Sequence, residues 1–224
     1  MQEIYSQAQT ETSVSSNKVL KNTYMLLAMT MAVSAVACGI SMAVGLGRGP
    51  ALMMNLAALA VIWFVLPRTA NSASGIYVVF GFTALLGASL GPTINYYLST
   101  ANGAQIVMQA LAGTAIVFFG LSGYVLTTKK DFSFMRGFLV TGLIVVLLCG
   151  VGMMIASFFG VSVSGASLAF SAAIVFLMSG FILFDTSRIV NGGETNYVMA
   201  TVSLYLNIYN LFTALLHLIG AAED

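Results

Sequence analysis

The sequence predicts an all-α polytopic membrane fold, a seven-transmembrane-helix bundle with the last helix central. Three observations carry that expectation. Of the 224 residues, 59% are apolar and only 7% are charged, whereas a soluble domain runs nearer about 25% charged. Seven apolar segments follow one another, most of them near the ~20 residues a helix needs to cross ~30 Å of hydrocarbon. The last segment has a polar stripe: Ser203, Asn207, Asn210, Ala214 and His217 fall on one helical face, opposite Leu204, Ile208, Leu211, Leu215 and Leu218. Inside a membrane such a stripe turns toward protein or a cavity and away from lipid, which makes this helix the expected centre.

Taken in order, residues 1–17 are rich in Ser, Thr and Gln, with Glu3 and Glu11, and have too little apolar surface to pack. A flexible tail is expected there, extending to about residue 20, followed by a single transmembrane domain over 21–224. The first apolar run is too long for a signal-peptide core, so no cleavage is expected. The seven segments read Tyr24–Val44, Ala51–Leu66, Gly75–Leu98, Gly103–Leu126, Gly137–Phe159, Gly165–Val190 and Ala200–Ile219. The second is short and the third is long. The third holds Gly91-Pro92, where a kink or a break is expected. Cys38 and Cys149 both lie inside apolar runs and read as small packing residues.

Charge orients the chain. Of the eight Lys and Arg residues, Lys18, Lys21, Arg68, Lys129, Lys130, Arg136 and Arg188 fall on one side of a seven-span topology, and only Arg48 falls on the other. The positive-inside rule then puts the N-terminus in the cytoplasm and the C-terminus outside. With eight bases against seven acids, no nucleic-acid partner is expected; the lipid bilayer is. The basic loop Thr127–Arg136 suits anionic headgroups, and orientation explains it equally well.

The stretches LGPTINYYLS from Leu90, GTAIVFFGLSGYVLTTKKDFSF from Gly113, FDTSRIVNGGETNYV from Phe184 and SLYLNIYNLF from Ser203 resemble the Bax-inhibitor (transmembrane Bax-inhibitor-motif) family. The resemblance is strongest to its bacterial, YccA-like members that modulate the FtsH protease. It implies a multi-pass protein of the bacterial inner membrane with an FtsH-type protease as partner, and alternatively a pH-sensitive calcium or cation leak channel. In the leak-channel members the acid at Asp185 pairs with a second aspartate on the last helix, and here that position is Asn207. Some members also have acids where Ser203 and Asn95 stand. Amide and hydroxyl oxygens can ligate Ca²⁺ but bring no charge to hold it or to titrate.

At ~1.5 Å per residue, Asp185 and Asn207 lie at similar depths from the same membrane face, about 7 and 10 Å in, and can meet. Arg188, one turn along from Asp185, and Arg68, at the end of the second segment, are the candidate cationic partners. Two readings of Asp185 stand side by side: a gate or latch, or a boundary residue held by Arg188. The stripe residues Ser203, Asn210 and His217 read either as pore-side groups, together with Asn95, or as interhelical hydrogen-bonding groups.

No enzyme, cofactor or metal site is expected. Gly120-Leu121-Ser122-Gly123 resembles an intramembrane serine-protease motif and Gly87-Ala88-Ser89-Leu90-Gly91 spells G-x-S-x-G, yet both read equally as small residues at close helix contacts. Ser122 and the single histidine, His217, sit near opposite membrane faces, about 20 Å apart. Ser89 lacks the strand-turn-helix context of a nucleophile elbow. Gly192-Gly193 reads as a turn and not as a phosphate cradle.

Overall fold

The computed structural model describes residues 16–223. Seven helices among them are long and apolar enough to cross a membrane: α1 (Ser16–Ala43), α2 (Arg48–Thr69), α3 (Ser74–Leu98), α4 (Gly103–Thr128), α5 (Arg136–Phe158, entered through a 3-10 turn at Ser133–Met135), α6 (Ser164–Val190) and α7 (Tyr197–Glu223). No strand occurs among the described residues. The fold is all-α, as the apolar periodicity implied.

Two boundaries early in the chain differ from expectation. Helix α1 already covers Ser16–Leu20, so the border between tail and span lies upstream of residue 20; the rest of the expected tail, residues 1–15, lies outside the described residues. Helix α2 is a full span of 22 residues, because Pro67 does not end it. A π-helical stretch at Val61–Val65 gives the proline ring room over the preceding turn, where an α-helical carbonyl would clash. Arg68 and Thr69 then donate from their side chains to the carbonyls of Phe64 and Val65. Helix α3 runs unbroken through Pro92.

The chain divides into two compact units, one formed by residues 1–101 and 192–205, the other by residues 102–191 and 206–224. Helix α7 is shared between them. Half of its most apolar window is buried, the largest share of any span, with Leu204, Tyr205, Asn207, Ile208 and Leu211 among the buried residues.

In the first unit α3 packs on both α1 and α2. A Cβ on Gly87 would run into the Ser34 backbone, and one on Gly91 into the Ser41 side chain, so these two glycines set how close α1 and α3 come. Tyr205 of α7 is inserted here, with its hydroxyl 2.7 Å from Ser34 Oγ and its ring edge-on to Phe82 at 5.7 Å. Asn196 caps α7: its Oδ1 accepts the Val198 and Met199 amides, while its Nδ2 donates to Ala70 and Asn71 in the α2–α3 turn.

In the second unit α6 packs on both α4 and α5. Gly180 faces Leu139, and Gly142 faces Leu177. Helix α4 ends at Lys129 with φ 52°, and Gly192, with φ 76°, turns the chain after α6, the turn expected of Gly192-Gly193. Cys38 is half-buried on α1, but Cys149 is exposed on α5, so the second cysteine is not a packing residue.

Candidate functional site

The second unit joins α6 to α7 through a polar contact deep between apolar residues. Asn207 Nδ2 donates to Asp185 Oδ2 at 2.8 Å, and with 7% and 8% of their surfaces exposed both side chains are buried. Their neighbours along the chain explain the burial: Ile182, Phe184, Thr186 and Ile189 on α6 and Leu204, Ile208 and Leu211 on α7 are also buried. The helix periods therefore leave Asp185 and Asn207 no route to lipid. Helix α7 begins three residues before the expected Ala200, so Asn207 lies about 15 Å along it. The contact forms all the same.

Just beyond Asp185, two further buried hydroxyls of α6 are engaged. Thr186 Oγ1 lies 3.2 Å from Ser122 Oγ of α4. Ser187 Oγ accepts the Phe132 amide at 2.9 Å and donates to the Lys130 carbonyl at 3.1 Å, and Asn191 Nδ2 donates to it as well. The α4–α5 loop is thus fastened to the same turn of α6 that holds Asp185. In that loop Asp131 accepts the Ser133 amide at 2.8 Å and the Ser133 hydroxyl at 2.9 Å. These bonds hold its carboxyl below the ordinary value of 3.8. The Tyr124 hydroxyl raises Lys130 above its ordinary value, and the ammonium lies 5.6 Å from the centre of that ring.

The other expected site residues are distributed as follows. Arg188 is half-buried, with its guanidinium carbon 5.7 Å from the centre of the Phe184 ring. Arg68 belongs to the first unit, is exposed and bonds the Phe64 carbonyl. Asn95 also belongs to the first unit, where Nδ2 donates to the Met42 carbonyl at 3.3 Å, tying the end of α3 to that of α1. Asn210 folds back onto the Leu206 carbonyl of its own helix at 2.9 Å. Ser203 is half-buried. His217 Nε2 lies 3.3 Å from Ser167 Oγ of α6.

The serine motifs separate on inspection. Gly87 and Gly91 are at a close helix contact, whereas a Cβ on Gly120 or Gly123 would meet nothing within 4 Å; the second pair does not serve packing. The serine beside His217 is Ser167, which belongs to neither motif. Its hydroxyl donates to the Ser164 carbonyl at 2.7 Å, so its proton is directed away from the imidazole. Sequence reasoning also missed Asn196, Ser187 and Tyr205. Of these only Asn196 had a local signal, an Asx residue ahead of an apolar run. The others depend on contacts far apart in the chain.

Chemically, the Asp185–Asn207 contact is a bridge between two helices. Where the carboxylate is ionised such a bond contributes about 1.5–3 kcal/mol, and it is held by one acid and one neutral amide. Among the described residues no three His, Cys, Asp or Glu side chains converge as a metal would require.

Similarity to known proteins extends over the whole architecture. A membrane protein of Vibrio cholerae is 51% identical over 96% of this chain and 94% of its own length. The Escherichia coli K12 protein called modulator of FtsH protease YccA is 46% identical over 100% of this chain and 99% of its own. The same protein in a second E. coli strain is called inner membrane protein YccA. A Pseudomonas aeruginosa protein is 45% identical over 91% of this chain. The family described as inhibitor of apoptosis-promoting Bax1 matches residues 16–224, all seven spans, and the chain is a membrane protein that belongs to that family.

Proposed function

We propose that this chain resides in the bacterial inner membrane, binds the membrane-bound FtsH-type AAA protease and restrains it. The observation that carries the reading is the end-to-end 46% identity to the E. coli protein called a modulator of FtsH protease. In this reading the chain acts by binding and catalyses no reaction. Its N-terminus is cytoplasmic and its C-terminus periplasmic, a reading supported by the seven-to-one distribution of its bases. The polar residues 1–15 serve as a cytoplasmic handle for the protease, and the seven spans act as one transmembrane domain. Asp185 and Asn207, together with Arg188, serve as a latch between α6 and α7; Arg68, exposed and bonded within its own helix, is not part of it.

One observation favours a second reading, a pH-sensitive calcium or cation leak: a buried acid of α6 meets a polar residue of α7. It ranks second because Asn207 supplies no charge to titrate or to hold a hard cation. A photo-crosslinking residue placed at Ala8, with the full chain co-reconstituted beside an FtsH-type protease, tests the first reading. A crosslink to the protease is expected. No crosslink and no co-purification would overturn it.

A further inference from the structure

The first unit contains a groove between the start of α2 and the end of α3. Its volume is about 380 Å³. Arg48, Tyr96 and Tyr97 line its mouth, and Ala51, Asn55 and Pro92 line its depth. The guanidinium carbon of Arg48 stands 5.9 Å from the centre of the Tyr96 ring, which holds the charge over the groove at the level where tyrosines favour the membrane interface. Arg48 is the base that sits on the wrong side of the positive-inside distribution. Among the described residues no carboxylate pairs with it.

From Arg48 to Asn55 the wall of the groove descends about 10 Å along α2, from the interface into the hydrocarbon layer. The lining changes on the way from a cation and two phenols to an alanine methyl, a proline ring and a half-buried amide whose Nδ2 is already spent on the Ala51 carbonyl. At the top, Gly47 gives α2 no side-chain cap. The Arg48 and Gly49 amides therefore have no capping side chain from Gly47, while Pro50 has no amide hydrogen to offer.

We infer that this groove binds one anionic phospholipid, with its phosphate on Arg48 and the upper end of an acyl chain lying in the slot between α2 and α3. The charge is complementary: a guanidinium presents a planar fork of donors that fits two phosphate oxygens at once, and among the described residues it pairs with no acid. The location is complementary too: below the charge the slot passes Ala51, Leu52 and Pro92, and its Ser89 hydroxyl and Asn55 amide donate to carbonyls of their own helices, which suits the two ends of a lipid better than a soluble anion.

The test is native mass spectrometry of the full chain released from detergent with phosphatidylglycerol or phosphatidylcholine, with inorganic phosphate as competitor. One retained phosphatidylglycerol is expected, about tenfold preferred over phosphatidylcholine and lost to a similar degree in Arg48→Gln. Thr93→Trp, an exposed position on the groove wall, should fill the slot and cause the same loss with Arg48 intact. Equal retention of the two lipids, or an unchanged phosphatidylglycerol adduct in both variants, overturns the inference. Displacement of the lipid by millimolar inorganic phosphate also overturns it, because the site would then read the anion alone.

Discussion

The buried contact between Asp185 and Asn207 is one hydrogen bond with an asymmetric consequence. Removing the amide leaves a carboxyl oxygen inside apolar surroundings with one donor fewer. Asn207→Ala should therefore lower stability by about 1–3 kcal/mol, read as a drop in the thermal midpoint of the purified chain in detergent. Asn207→Asp is the more telling change, because two carboxyls at this separation hold one proton between them. Once that proton leaves, two like charges are in contact, so the midpoint of the variant should fall from pH 5 to pH 8 relative to the parent. Cation permeability in liposomes should follow the same pH axis. Equal behaviour of parent and variant across that range would show that the pair is no latent sensor. At Asp131 the sign runs the other way. Its carboxyl is held below 3.8 by Ser133, so the loop contact persists above the ordinary carboxylate value and is lost as pH falls below it. Hydrogen exchange at the Ser133 amide should speed up on acidification, and Asp131→Asn should abolish that dependence.

Two glycine pairs that look alike in the sequence behave differently as parts of helices. Gly87 lies against Ser34 backbone, which cannot yield, while Gly120 faces open space. Gly87→Ala should cost about 1–3 kcal/mol by pushing α1 from α3, and Gly120→Ala should be neutral or stabilising, since alanine favours a helix over glycine by up to about 1 kcal/mol. Paired thermal midpoints check this, and equal effects would refute the close approach. Hydropathy made the helices legible, because length and apolar content follow from single segments; the Asp185–Asn207 meeting came from the family resemblance, and depth along the helices, off by about 5 Å at Asn207, only allowed it. The extension of α2 past Pro67 was not legible, since a π-helical stretch is a local rearrangement that leaves no compositional mark. Nor was the choice between glycine pairs, which depends on what a distant helix places opposite. Ser167 beside His217 and Tyr205 beside Ser34 were hidden for the same reason. Asn196 could have been found as a helix cap had α7 been started at Tyr197.

At the scale of the whole molecule, seven spans and a seven-to-one distribution of bases make a single topological statement. Cysteines introduced at Ala8 and Asn191 should be shielded from an impermeant thiol reagent in intact cells, and one at Ala222 should react; labelling at Ala8 would reverse the orientation. That orientation gives the proposed handle access to a cytoplasmic protease. Behind the handle lie seven apolar helices, and pulling them from the membrane exposes apolar surface to water at ~25 cal/mol per Å². A substrate that is easy to grip and hard to extract occupies its protease for a long time, which is how a bound membrane protein can act as a brake. The most direct measurement is the degradation rate of a second membrane substrate by a reconstituted FtsH-type protease, with this chain absent, present in full, or lacking residues 2–16. The account predicts slower degradation with the full chain, and stronger restraint with longer survival of the chain itself when the handle is removed. An unchanged rate at molar excess of the full chain would contradict the account, and a truncated chain degraded as fast as the full one would remove the handle from it.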